Sequence, residues 1–145
     1  MAEHLHQATT VALDGRAILI EGAPGCGKSS LALALIDRGA ILVGDDGVAL
    51  SARAGHLWAA PTLHTRGLME IRNLGLVPMP CTEAPVALIL HLTPAAPRYI
   101  EQPASAERLG IALPLIALWP DSPVLALRAE MALRQYGLPV SGTGR

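Results

Sequence analysis

The chain has 145 residues, enough for one domain with a buried core and too few for a second of ordinary size. Half of it is hydrophobic (51%) and only 16% is charged, which excludes a disordered chain; a formal net charge of -1 leaves no basic surplus for a nucleic-acid backbone or an anionic membrane. The longest apolar run, "PVALILHL", is too short to cross a bilayer, and "MAEHLHQATT" lacks the basic and apolar regions of a signal peptide, so no membrane partner, no nucleic-acid partner and a cytoplasmic location are expected.

In chain order, "TTVALDGRAILIEG" places Asp14 and Gly15 between two β-prone runs, and an Asp-Gly pair accepts the positive φ angles of a tight hairpin. The second strand, about Ala17 to Glu21, runs into "GAPGCGKSS", and "KSSLALALIDRG" then reads as a helix that stops at Gly39. "AILVGDDGVALSA" predicts a short buried strand, a turn at Asp45 to Gly47 and another strand, with "AGHLWAA" continuing the β pattern after a second turn. Residues 61–67 read as a loop and "LMEIRNLGLV" as an interrupted strand, while "PVALILHL" has the unbroken apolar run of a strand covered on both faces. Residues 94–103, rich in proline and alanine, read as an exposed loop. The end predicts a helix with Ser122 as N-cap, Pro123 at the first helical position and Gly137 as stop. A hairpin feeding a βα unit makes the expected fold α/β: a single P-loop kinase domain spanning residues 1–145, with a mixed sheet and flanking helices.

Gly22, Gly25, Gly27, Lys28 and Ser29 fit GxxxxGK[ST], between a predicted strand and a predicted helix. In such a loop, here Gly22, Ala23, Pro24, Gly25, Cys26, Gly27, Lys28, Ser29 and Ser30, backbone N–H groups converge on phosphate oxygens. Lys28 supplies a point charge to the β and γ phosphates, and Ser29 offers a hydroxyl to Mg2+. Cys26 lies just before the helix N-terminus; it is either a small loop filler or a thiol made reactive by partial positive charge. Cys26 and Cys81 have no metal-site spacing, and the five histidines form no ligand pattern.

Asp45 and Asp46 follow the strand "ILVG" at its carboxyl end, where ligand sites of α/β sheets collect. Neighbours on a strand point to opposite faces, so one of the two faces the phosphates, either as a carboxylate that accepts the proton of an attacking hydroxyl or as part of a solvated turn. Glu70 in "LMEIR" lies in an apolar stretch where an unpaired carboxylate is costly; a metal, or an ion pair with Arg72, would relieve it.

Together, "GAPGCGKSSLALALIDRGAILVGDD" and "MEIRNLGLVPMP" resemble the catalytic domain of bacterial HPr kinase/phosphorylase. "LVGDD" stands where that family has Leu-Val-Ala-Asp-Asp, and "EIRNLGLV" is similar to its Glu-Ile-Arg-Gly-Leu-Gly-Ile signature, features that a generic P-loop kinase does not share. The resemblance implies a serine kinase acting on the phosphocarrier HPr with ATP or pyrophosphate, able to remove the phosphate with inorganic phosphate, and so a regulator of carbohydrate metabolism. It makes Asp45 the general base, Lys28 the phosphate clamp, Ser29 and Glu70 the Mg2+ ligands with Asp46 beside them, and Arg98 in "PRYIEQP" a phosphate-contacting residue. It further implies a hexamer and the short form known from some proteobacteria, without a separate N-terminal domain. Gln7 falls where the family has a histidine, with His6 one residue early; His6 can substitute only if a bulge restores the register. Asn73 replaces a glycine, as a residue that tolerates positive φ. The competing readings are a P-loop small-molecule kinase and a nucleotide-binding regulator without catalysis.

Overall fold

In the computed structural model, residues 3–139 are described. The strands are β1 (His4–His6), β2 (Thr9–Leu13), β3 (Arg16–Gly22), β4 (Ile41–Gly44), β5 (Val48–Arg53), β6 (His56–Ala60), β7 (Leu68–Ile71), β8 (Gly75–Pro78), β9 (Ala84–Leu92), β10 (Ala104–Arg108) and β11 (Ile111–Leu118). The helices are α1 (Lys28–Asp37) and α2 (Leu125–Tyr136). As expected, the architecture is α/β with a mixed sheet.

One half of the sheet runs β10-β11-β9-β3-β2-β4 and the other β1-β5-β6, with β9 belonging to both. Ala84 and Pro85 of β9 pair with β6, whereas Ile89 to Leu92 lie between β3 on one edge and β11 on the other. The pairings β3–β9 and β9–β11 are parallel, and β2 is antiparallel to both β3 and β4. β4 therefore runs in the direction of β3, and the carboxyl ends of β3, β4, β9 and β11 share one end of the sheet.

Alternation along β3 sorts the core. Ile18 and Ile20 join a cluster with Leu31, Ala32 and Leu35 of α1 and Ala129 and Leu133 of α2, while Ala17 and Leu19 join one with Val48, Leu50 and Leu57 on the opposite face. The apolar run of β9 splits the same way: Leu88 and Leu90 go to the helical side and Val86 and Ile89 to the other, so this strand is covered on both faces as its sequence predicts. Each fully buried leucine or isoleucine contributes about 1.5–3 kcal/mol. The two helices are joined by Arg38, just past α1, whose Nε and Nη2 donate to Oε2 and Oε1 of Glu130 at 2.8 and 2.9 Å.

Asp14 and Gly15 make the first turn at φ 54 and 78°, and Gly39 ends α1 at φ 113°, as predicted. Two expectations are corrected, and one stretch gains structure. α2 begins at Leu125 with Val124 as its cap, because Ser122 uses its hydroxyl and carbonyl to close a turn over Pro123 and Val124, bonding the N–H groups of Val124 and Leu125. The stretch read as one interrupted strand is the hairpin β7–β8, turned by Asn73 at φ 73° and Gly75 at φ 98°, so the positive φ expected for Asn73 is present. Residues 104–118, where the sequence predicts no element, form the hairpin β10–β11.

Candidate active site

The glycine loop follows β3, and its geometry starts at Gly22. A Cβ there would stand 2.8 Å from the carbonyl oxygen of Leu92 and 2.7 Å from Cys26 Sγ, so the backbone leaves the sheet pressed against β9. Gly25 and Gly27 follow at φ 77 and 104°, and Gly27 caps α1 without any side-chain oxygen, leaving the first N–H groups of the helix open toward the cleft. Cys26 turns its side chain inward against the helix-side core, which favours the loop-filler reading. Lys28 folds its ammonium back over the loop and donates to the carbonyls of Gly22 and Ala23, at 3.1 Å each.

Because β4 parallels β3, the turn after Gly44 reaches the same cleft. Asp46 takes φ 65°, and Asp45 points toward α1. Ser29 Oγ donates to Asp45 Oδ1 at 2.6 Å, and the backbone N–H of Glu70 donates to Oδ2 at 3.1 Å. The β7–β8 hairpin is thereby tied to the base of the cleft by its backbone. The carboxylate of Glu70 and the guanidinium of Arg72 are exposed and line the cleft; among the described residues they form no ion pair with each other. The expectation of a carboxylate stranded in apolar surroundings is thus corrected: Met69 takes the buried side of the strand and Glu70 the solvent side.

The resulting cleft has a volume of about 510 Å3 and is bounded by the loop, Gln7, Asp45, Asp46, Glu70 and Arg72. Its hydroxyl and carboxylate oxygens are hard donors of the kind Mg2+ prefers. Among the described residues no three acidic, histidine or cysteine side chains converge tightly enough to hold a metal alone.

The structure gathers Lys28, Ser29, Ser30, Asp45, Asp46 and Glu70 around one cleft, and it sets Arg98 apart. Arg98 is exposed and lines a separate depression of about 350 Å3 with Trp119 and Arg128. Gln7 lines the cleft, whereas His6 turns away and lies with Nε2 2.7 Å from Oε2 of Glu21. Arg108 closes the same cluster, donating through Nη2 to Glu21 Oε1 at 2.6 Å and through Nε to Oε2 at 3.2 Å. Burial pushes the Glu21 carboxyl up, but the hydrogen bonds from His6 and Arg108 and the Arg108 charge outweigh it and hold the group below the usual carboxylate range. This anchor, immediately before Gly22, escaped the sequence reading; its one local signal is a glutamate closing the apolar run "AILIE". Thr9, also missed, lines the cleft from β2.

Residues 1–81 match the family described as HPr Serine kinase C-terminal domain. The HPr kinase/phosphorylase of Clostridium novyi (strain NT) is 35% identical over 100 residues, covering 67% of this chain and 33% of that protein. The protein of the same name from Clostridium tetani (strain Massachusetts / E88) is 44% identical over 66 residues, or 46% and 22% of the two chains. These matches span about a fifth to a third of the length of the curated relatives. The solved structure of the HPr(Ser) kinase/phosphatase from Coxiella burnetii superposes with a TM-score of 0.80 at 28% identity, covering 90% of this chain and 88% of the other.

Proposed function

The chain belongs to the HPr serine kinase C-terminal domain family, and from that membership and the cleft we propose that it transfers the γ-phosphoryl group of ATP to a serine of the phosphocarrier protein HPr. One observation supports the reading: Asp45 is fixed by Ser29 and by the Glu70 N–H beside the phosphate loop, the place the proposal gives to a carboxylate that meets an incoming hydroxyl. The loop N–H groups and Lys28 bind and orient the phosphates. Asp45 takes the proton of the serine hydroxyl as the new O–P bond forms, and ADP leaves with the electron pair of the bond that breaks. Ser29, Asp46 and Glu70 would hold Mg2+, which when bound neutralises charge on the phosphates. In the reverse direction an oxygen of inorganic phosphate attacks phosphoserine, and Asp45 returns the proton to the departing serine oxygen, giving pyrophosphate. Arg98, implied by the resemblance as a phosphate contact, lines a different depression and is not needed for these steps.

The test incubates the protein with purified HPr, ATP and Mg2+ and reads phosphoserine by mass spectrometry, with pyrophosphate as a second donor. Phosphoserine on HPr is the expected result; no transfer across several metals and phosphocarriers overturns the proposal. A second reading, a nucleotide-binding regulator, is favoured by Gln7, a side chain without a titratable group on the cleft wall; it predicts ATP binding without turnover. Assembly into hexamers, implied by the resemblance, is measured by light scattering. No helix among the described residues is long and apolar enough to cross a membrane; a reaction in the cytoplasm is part of the proposal.

A further inference from the structure

Thr9 sits on β2 with 1% of its surface exposed. β2 and β4 slip register between Thr10 and Val11, so that Thr10 pairs with Gly44 and Thr9 faces the turn that follows. There its hydroxyl does two things. It accepts the backbone N–H of Asp46 at 3.1 Å, and its own proton is directed to Asp45 Oδ1 at 3.5 Å, the outer limit of a hydrogen bond. One buried hydroxyl thus touches both the carboxylate of Asp45 and the peptide group leading out of it.

From this geometry we infer that Thr9 is a positioning residue for Asp45, holding the left-handed turn at Asp46 so that the carboxylate stays aimed at the phosphate loop. The inference rests on the role proposed above for Asp45. Ser29 and the Glu70 N–H fix the carboxylate from the helix and hairpin sides, but among the described contacts only Thr9 also fixes the Asp46 peptide. Asp46 holds a positive φ without being glycine, a conformation that needs outside support.

The test compares wild type with Thr9→Val, which keeps the shape and removes the hydroxyl, and Thr9→Ser, which keeps the hydroxyl. For phosphoryl transfer to HPr, Thr9→Val lowers kcat about 10- to 100-fold while the ATP dissociation constant stays within about twofold, the split expected when a reacting group is misplaced but not removed. Thr9→Ser restores kcat to within about threefold. A separate readout needs no acceptor: the Asp46 amide, followed by NMR hydrogen exchange, exchanges at least about tenfold faster in Thr9→Val and at the wild-type rate in Thr9→Ser. Unchanged kcat, or unchanged Asp46 exchange, in Thr9→Val overturns the inference. A wild type that transfers nothing to HPr sinks the proposed function, and the exchange comparison then decides on Thr9 by itself. If Thr9→Val fails to fold, Thr9→Ala takes its place; loss of fold in both makes the hydroxyl structural and overturns the positioning role.

Discussion

Asp45→Asn separates chemistry from architecture at this cleft. The wild-type carboxylate receives three donors: Ser29 Oγ at 2.6 Å, the Glu70 N–H at 3.1 Å and the Thr9 hydroxyl at 3.5 Å. Asparagine retains one acceptor oxygen. A backbone N–H cannot reverse its role, so that oxygen turns to Glu70, and the new NH2 faces Ser29 and Thr9, whose hydroxyl oxygens can accept. The network survives with neutral bonds in place of charge-assisted ones, at a cost of about 1–2 kcal/mol in stability. Loss of the proposed general base costs far more, about 10²- to 10⁴-fold in rate, or about 2.7–5.4 kcal/mol in the barrier. Single-turnover transfer from ATP to HPr, read by mass spectrometry, therefore falls by that factor, while calorimetric titration finds nucleotide affinity within about threefold of wild type. A variant that transfers within about tenfold of wild type, or whose whole defect lies in ATP affinity, refutes the assignment of Asp45 as base.

Lys28→Ala removes the ammonium that now rests on the Gly22 and Ala23 carbonyls and weakens ATP binding at least about tenfold by calorimetry, about 1.4 kcal/mol. Leu35→Ala, at a fully buried site between α1 and the sheet, lowers unfolding free energy by about 2–5 kcal/mol in urea denaturation. The two hydrogen bonds from Arg38 hold the Glu130 carboxyl below the usual carboxylate range, against the opposing effect of burial. Its contribution to stability is therefore fully present above the unfolded value of about 4.3 and is lost as pH falls through the lower folded value. Acid titration of Glu130→Gln, followed by circular dichroism, shows a shallower loss of stability across that window than wild type.

The parts of the cleft that could be read from the chain are those written in consecutive residues. The loop is announced by glycines that permit positive φ, flanked by an apolar strand and a helix-forming run, and Asp45 by the turn that closes "AILVG". What the chain does not announce includes partners distant in sequence. His6 pairs with Glu21 because the short strand β1 docks on β5, which no local pattern of "HLH" encodes. Arg108 reaches Glu21 across 87 positions from a hairpin whose turn, Leu109–Gly110, lacks the usual Asp-Gly or Asn-Gly signal and whose second strand contains Pro114. At Ser122 the residue type was right and its use was not. The hydroxyl caps a turn instead of the helix, a choice between two local hydrogen bonds that composition leaves open. Arg98, picked out by a short flanking match, lines another depression with Trp119 and Arg128.

The parallel course of β3 and β4 divides the molecule's two ends by task. Everything proposed to meet a phosphate is strung along one rim, while the opposite rim is reached by connectors such as Asp14–Gly15, exposed and remote from Gly22 by the full length of β3. That distal turn is a place where a tag, a fluorophore or several extra residues can be accommodated without disturbing the reactive rim. It gives a handle by which this protein can be immobilised or observed while it works.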